Sequence, residues 1–128
     1  MVKILMNILM VAAGGGLGSV MRYLLAGWCQ AWLRTTFPVG TLIVNVLGCL
    51  AIGVLNTAFA HFVPIREEYR VGLTVGVLGG FTTFSTFANE NLALLRDGNF
   101  LLFALYTTLS VLLGLTATFL GNLMVKSL

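Results

Sequence analysis

The chain carries almost no charge, and that scarcity excludes most soluble functions at once. Charged residues make up 9% of its 128 positions, where a soluble domain holds roughly 25%. Imidazole is scarcer still: His61 stands alone, so transition-metal chemistry has almost no ligands. Cys29 and Cys49 form neither a disulfide framework nor a metal signature, and Cys49, deep in an apolar run, reads as a small packing residue. Ser85 has no evident base and His61 falls near a helix end, which disfavours an intramembrane enzyme. The few basic residues are scattered singly near helix ends, so they suit anchoring and topology, and nucleic-acid binding is excluded.

What is present is apolar. Hydrophobic residues are 59% of the sequence, and the mean hydropathy is +1.01. A helix needs about 20 residues to cross a bilayer, so the chain has room for four crossings and little else. The apolar runs predict helices at about residues 4–28, 37–62, 71–95 and 100–125, giving one all-α membrane domain over 1–128. Lys3 ahead of an apolar stretch ending in Ala12-Ala13 has the outline of a signal peptide. Apolarity resumes through Leu17 to Trp28, however, and a first membrane span is expected instead. Trp28 and Trp32 suit the interfacial belt, and Pro38 an early helical position. Residues 64–70 are the most polar stretch and read as a water-facing loop, while 96–99 make a tight turn.

Four crossings place both termini and the middle loop on one side. That side collects Lys3, Arg66, Arg70 and Lys126; the other has Arg34, Arg96 and, near the interface, Arg22. So even a distribution gives little orientational bias and allows insertion in both directions, with cytoplasmic termini as the alternative.

Within the spans, polar groups fall into stripes. Thr41, Asn45, Cys49, Ile52 and Asn56 recur at three or four, so they share one helical face. Asn45 lies roughly 12 Å into its helix, where an amide needs a partner or water; an interhelical hydrogen bond is the plain alternative to a pore role. Tyr106, Ser110 and Gly114 follow at a spacing of four, either as a narrow polar track or as a close helix contact. Glu90 is the one carboxylate plausibly inside a span, about 8 Å from its end, and an intramembrane ionisable group points to function by default. The pairs Gly14/Gly18 and Gly72/Gly76/Gly80 read as packing motifs.

The most informative segment is Gly79-Gly80-Phe81-Thr82-Thr83-Phe84-Ser85-Thr86-Phe87. Two glycines and a run of hydroxyls can open a helix at mid-depth, and unpaired backbone there must be buried or line a water-filled path. The third helix is therefore predicted to be broken at mid-membrane. Phe84 and Phe87, three residues apart, share a face; ordinarily such a pair is lipid-facing or core. Ring edges are positive, however, and can receive an anion without a full positive charge nearby. The hydroxyls of Thr82, Thr83, Ser85 and Thr86 could replace part of its hydration.

Taken together, Gly14 to Ser19, Arg22-Tyr23, Gly40-Thr41-Leu42, Asn45 and Gly79 to Phe87 with Glu90 make the chain resemble the bacterial fluoride channel family known as Fluc or CrcB. The resemblance covers essentially the whole sequence. It implies an antiparallel, dual-topology homodimer in the bacterial inner membrane, with two fluoride pores along the subunit interface and lipid around it. It implies that Phe84 and Phe87 form the aromatic box, that Asn45 lines the pore, and that Arg22 lies in the vestibule. Tyr106 and Ser110 would belong to a polar track, with Gly114 standing where some members have a serine. It further implies a structural sodium ion held at the interface by the main-chain carbonyls of Gly79 and Thr82. Passive fluoride export is the function so implied. The alternatives are a small four-helix proton-coupled exporter, which would have to use Glu90, and a structural subunit of a larger complex.

Overall fold

The computed structural model describes residues 1–127, and its secondary structure is helical throughout. The elements are α1 (Val2–Leu33), α2 (Val39–His61), α3 (Glu67–Val71), a π-helical stretch (Gly72–Leu78), α4 (Gly79–Phe81), α5 (Phe84–Arg96) and α6 (Phe100–Lys126). α3 through α5 form one interrupted third span, so the described residues contain four helices long and apolar enough to cross a membrane. Large apolar side chains such as Ile8, Leu24, Leu115 and Phe119 stay exposed, as lipid-facing residues should.

Two element boundaries differ from the sequence reading. α1 continues past Trp28 to Leu33, because no breaker intervenes before Arg34, which closes it in the left-handed conformation at φ 47°. The stretch read as a loop over 64–70 turns helical at Glu67. Glu67 and Glu68 occupy that first turn, where carboxylates favour the positive end of the helix dipole. Glu67 also pairs with Lys3 at 2.6 Å, which ties the start of the third span to the start of the first.

The four spans associate as two parallel pairs with backbones in near contact. α1 lies along the third span in register, with Gly14 against Gly72 and Gly76, and Gly18 against Val77 and Phe81. A Cβ on Gly18 would sit 2.0 Å from the Val77 carbonyl oxygen, so only glycine permits this approach. α2 lies along α6 in the same way, and a Cβ on Gly53 would meet the Thr118 carbonyl oxygen at 2.2 Å. Without a hydrophobic driving force in lipid, such close approach supplies the packing attraction. Hydrogen bonds reinforce the second pair: Thr118 donates to the Cys49 carbonyl at 3.0 Å, and Asn122 Nδ2 to Thr57 Oγ1 at 2.7 Å. A small core of Leu42, Leu94 and Tyr106, flanked by Phe37 and Phe87, joins α2, α5 and α6.

The interruption falls at Thr82-Thr83, not at the glycines. Gly79 keeps helical dihedrals (φ −63°, ψ −36°), and Gly80 serves close packing, since a Cβ there would lie 2.4 Å from the Gly15 carbonyl oxygen. Thr82 (φ −86°, ψ 157°) and Thr83 (φ −151°, ψ 117°) are extended. α4 ends with the Leu78 carbonyl accepting from both the Thr82 amide (3.0 Å) and the Thr82 hydroxyl (2.9 Å). α5 begins with Thr83 Oγ1 accepting from the Thr86 amide at 3.2 Å, an N-cap that makes the restart favourable.

Candidate functional site

Asn45 holds the break open. Its Oδ1 accepts from the Thr83 amide at 2.8 Å and its Nδ2 donates to the Thr83 carbonyl at 3.0 Å. A side-chain amide thus replaces the helical partners of one extended residue, satisfying backbone that lipid could not. Of the two roles weighed for Asn45, the structure displays the interhelical bond, and that bond is what creates the polar backbone feature.

Thr83 is the partition between two cavities. One, of about 590 Å³, is lined by Ser19, Arg22, Thr41, Thr83, Thr86 and Glu90 among others. The second, about 360 Å³, is lined by Asn45, Cys49, Gly79, Thr82, Thr83 and Phe84 among others. The α2 stripe distributes accordingly: Thr41 borders the first, Asn45, Cys49 and Ile52 the second, and Asn56 a third cavity beside Arg70. Arg22 and Glu90 therefore share one vestibule, although no ion pair joins them among the described residues.

Hydroxyls gather at the partition. Thr83 Oγ1 donates to Thr86 Oγ1 at 3.0 Å and lies 3.3 Å from Ser85 Oγ. Ser85 and Thr86 are exposed on the first turn of α5. Deeper in, both Glu90 oxygens are engaged: Thr41 Oγ1 donates to Oε1 at 2.7 Å and Tyr106 Oη to Oε2 at 2.6 Å. Tyr106 is fully buried.

Aromatic rings form a connected file beside these groups. Phe84 and Phe87 lie 5.5 Å apart at 42°, Phe87 and Tyr106 5.1 Å apart at 55°, and Tyr106 meets Phe37 edge-on at 5.5 Å. Phe84 is 79% exposed, on a face that this chain alone leaves open, whereas Phe87 is half-buried. One turn along α6 from Tyr106, Ser110 Oγ is buried with no hydrogen-bond partner among the described residues, an orphan that a polar guest would satisfy. Beyond Ser110 the α6 stripe closes: Gly114 sits against Cys49, and Thr118 and Asn122 are tied to α2.

The break leaves the carbonyls of Gly79 and Thr82 without their helical donors. In an unbroken helix they would accept from the amides of Thr83 and Thr86. Those amides are diverted to Asn45 Oδ1 and Thr83 Oγ1, so both oxygens lose their helical donors. Gly79 lies on the open face, where an added Cβ would meet nothing within 4 Å.

Sequence reasoning missed Gln30, Phe37, Asn91 and Thr107. Gln30 Nε2 donates to two loop carbonyls, of Thr35 and Phe37, while its Oε1 accepts from the Gly40 amide at 3.2 Å. A glutamine in the last turn of a membrane helix was the available signal. Asn91, four residues after Phe87 and adjacent to Glu90, bridges α5 to Thr107 of α6.

The chain is similar to known proteins along nearly its whole length. Residues 9–122 match the family described as CrcB-like protein, Camphor Resistance (CrcB). A protein of Geobacter metallireducens named fluoride-specific ion channel FluC is 44% identical over 124 residues, covering 97% of this chain and all of that one. A like-named protein of Phocaeicola vulgatus is 46% identical over 115 residues, covering 90% of this chain and 94% of its own.

Proposed function

The chain belongs to the CrcB family, and we propose that it is a fluoride-selective channel that lowers cytoplasmic fluoride by passive export across the bacterial inner membrane. The observation that carries this reading is the pair of cavities that share Thr83 in their walls, with a cluster of hydroxyls at that residue and Phe84 lining the second cavity. The similar proteins are named ion channels, and no side chain is asked to perform catalysis.

Fluoride is strongly hydrated, so it passes only where the protein replaces lost water contacts at nearly equal free energy. Arg22 would raise the anion's local concentration in the vestibule. Hydroxyls of Ser85, Thr86 and Ser110, with the positive edges of Phe84 and Phe87, would then stand in for the hydration shell. Thr41 and Tyr106 hold Glu90 by both oxygens, which keeps the carboxylate from occupying the route as a free anion.

The functional unit in this reading is a homodimer of oppositely inserted copies. Supporting it are the nearly even distribution of basic residues between the two ends and the open face that carries Phe84 and Gly79. A second copy would cover that face and bring its own Phe84 to the first copy's file. The carbonyls of Gly79 and Thr82 would hold sodium where the two breaks meet, and the ion would supply positive charge that offsets the aligned carbonyl dipoles.

Purified protein in liposomes tests this reading by fluoride and chloride efflux under a potassium gradient with an ionophore. Fluoride efflux without measurable chloride efflux is expected. Flux that requires a proton gradient would instead identify the exporter, and no fluoride flux from folded dimers would end the channel reading. Cysteine introduced by Gly79→Cys, with Cys29 and Cys49 replaced, should cross-link to a dimer on oxidation.

A further inference from the structure

We infer that Asn91, with Thr107, is the positioning residue that fixes the rotation of α5 and therefore the aim of Phe87; the inference rests on the channel reading above. α5 buries only Asn91 and Leu94 of its thirteen side chains, so its apolar anchorage is limited to Leu94 and the half-buried Phe87 on the small core. Polar staples add the directional constraint. Asn91 Oδ1 accepts from Thr107 Oγ1 at 3.1 Å, and Asn91 Nδ2 donates to the Phe87 carbonyl at 3.2 Å. One amide thus links the peptide that carries Phe87 to a fixed point on α6.

A second staple lies beside it. Glu90 Oε2 accepts from Tyr106 Oη, so neighbouring residues on α5 bind neighbouring residues on α6. Two such bonds, about 100° apart around each helix, fix rotation and register together. They are not equivalent. Glu90 borders the vestibule and is only half-buried, whereas Asn91 is 7% exposed and uncharged. The Asn91 staple persists whatever Glu90 does, and it holds the Phe87 ring on Tyr106 when the carboxylate is displaced. A neutral amide suits this task because a buried charge would have to be paired.

The test compares variants that keep shape and lose one hydrogen-bonding group. Thr107→Val and Asn91→Leu should cut fluoride efflux about tenfold and admit measurable chloride. Thr107→Ser, which keeps the hydroxyl, should retain wild-type flux and selectivity. The double variant Asn91→Leu/Thr107→Val should be no worse than either single one, as for a shared interaction. Independently of flux, a fluorinated phenylalanine at Phe87 should give one ¹⁹F resonance in wild type and Thr107→Ser. In Thr107→Val and Asn91→Leu it should broaden or split. Unchanged spectra and selectivity in folded Thr107→Val and Asn91→Leu would overturn the inference, as would equal loss in Thr107→Ser. Absence of fluoride flux in wild type with the spectral pattern intact would remove the channel reading alone.

Discussion

Asn45 grips the peptide of Thr83 from both sides, accepting its N–H at 2.8 Å and donating to its carbonyl at 3.0 Å. The two residues are 38 positions apart on different spans, so the break in the third span exists only as a tertiary feature. The contact takes the amide that would otherwise serve the Gly79 carbonyl, and Thr83, so held, caps α5 with its own hydroxyl and lines both cavities.

Asn45→Leu removes both bonds while filling similar volume. Each unsatisfied buried backbone group costs about 1–3 kcal/mol, so a drop of several °C in detergent melting temperature and loss of fluoride efflux are expected. Asn45→Asp keeps the acceptor for the Thr83 amide and should fall between the two. Wild-type melting in Asn45→Leu would show that the break does not depend on this side chain.

Gly18→Ala places a methyl 2.0 Å from the Val77 carbonyl oxygen, where only backbone displacement can relieve the overlap. Overpacking of this kind costs about 1–3 kcal/mol or more, and α1 should separate from the third span. Gly16→Ala, with nothing within 4 Å, should be silent. The yield of monodisperse protein and its melting temperature distinguish the pair.

Tyr106→Phe keeps the ring against Phe37 and Phe87 but leaves Glu90 Oε2 without its donor. The fold should survive, while fluoride efflux should fall about tenfold, equivalent to ~1.4 kcal/mol on the barrier. Thr41→Val, acting on the other oxygen, should produce a similar loss, and the two should combine less than additively because they share Glu90. Stopped-flow or electrode recording of liposome efflux measures both.

Sodium bound at the carbonyls of Gly79 and Thr82 would stabilise the folded dimer by mass action. At one hundred times its dissociation constant the gain is about 2.7 kcal/mol. Melting temperature should therefore rise with sodium and fall when a large organic cation replaces it at equal ionic strength. A flat response would remove sodium from the proposal.

Much of this was legible in the residues themselves. Four apolar runs gave four spans, because crossing a bilayer demands length and apolarity that no other arrangement shows. The glycine spacings predicted close contacts but not their partners, since any small-residue stripe can meet any other. The segment from Gly79 to Phe87 predicted a broken third helix but did not say at which residue. Helical glycine costs little when Gly15 of α1 needs the space, whereas Thr82 and Thr83 leave the helix because Asn45 and their own hydroxyls offer the backbone other partners.

Composition alone determined that the chain lives in lipid, that it crosses four times, and that its polar residues at depth had to be answered by something. Those are consequences of desolvation, which depends on residue type and run length. Which groups answer which was decided only by tertiary structure: Thr41 and Tyr106 on Glu90, Thr107 on Asn91, Asn45 on Thr83, and, among the described residues, nothing on Ser110. Hydrogen bonds are satisfied at a few tenths of an ångström, and only the packed crossing of helices fixes distances so finely.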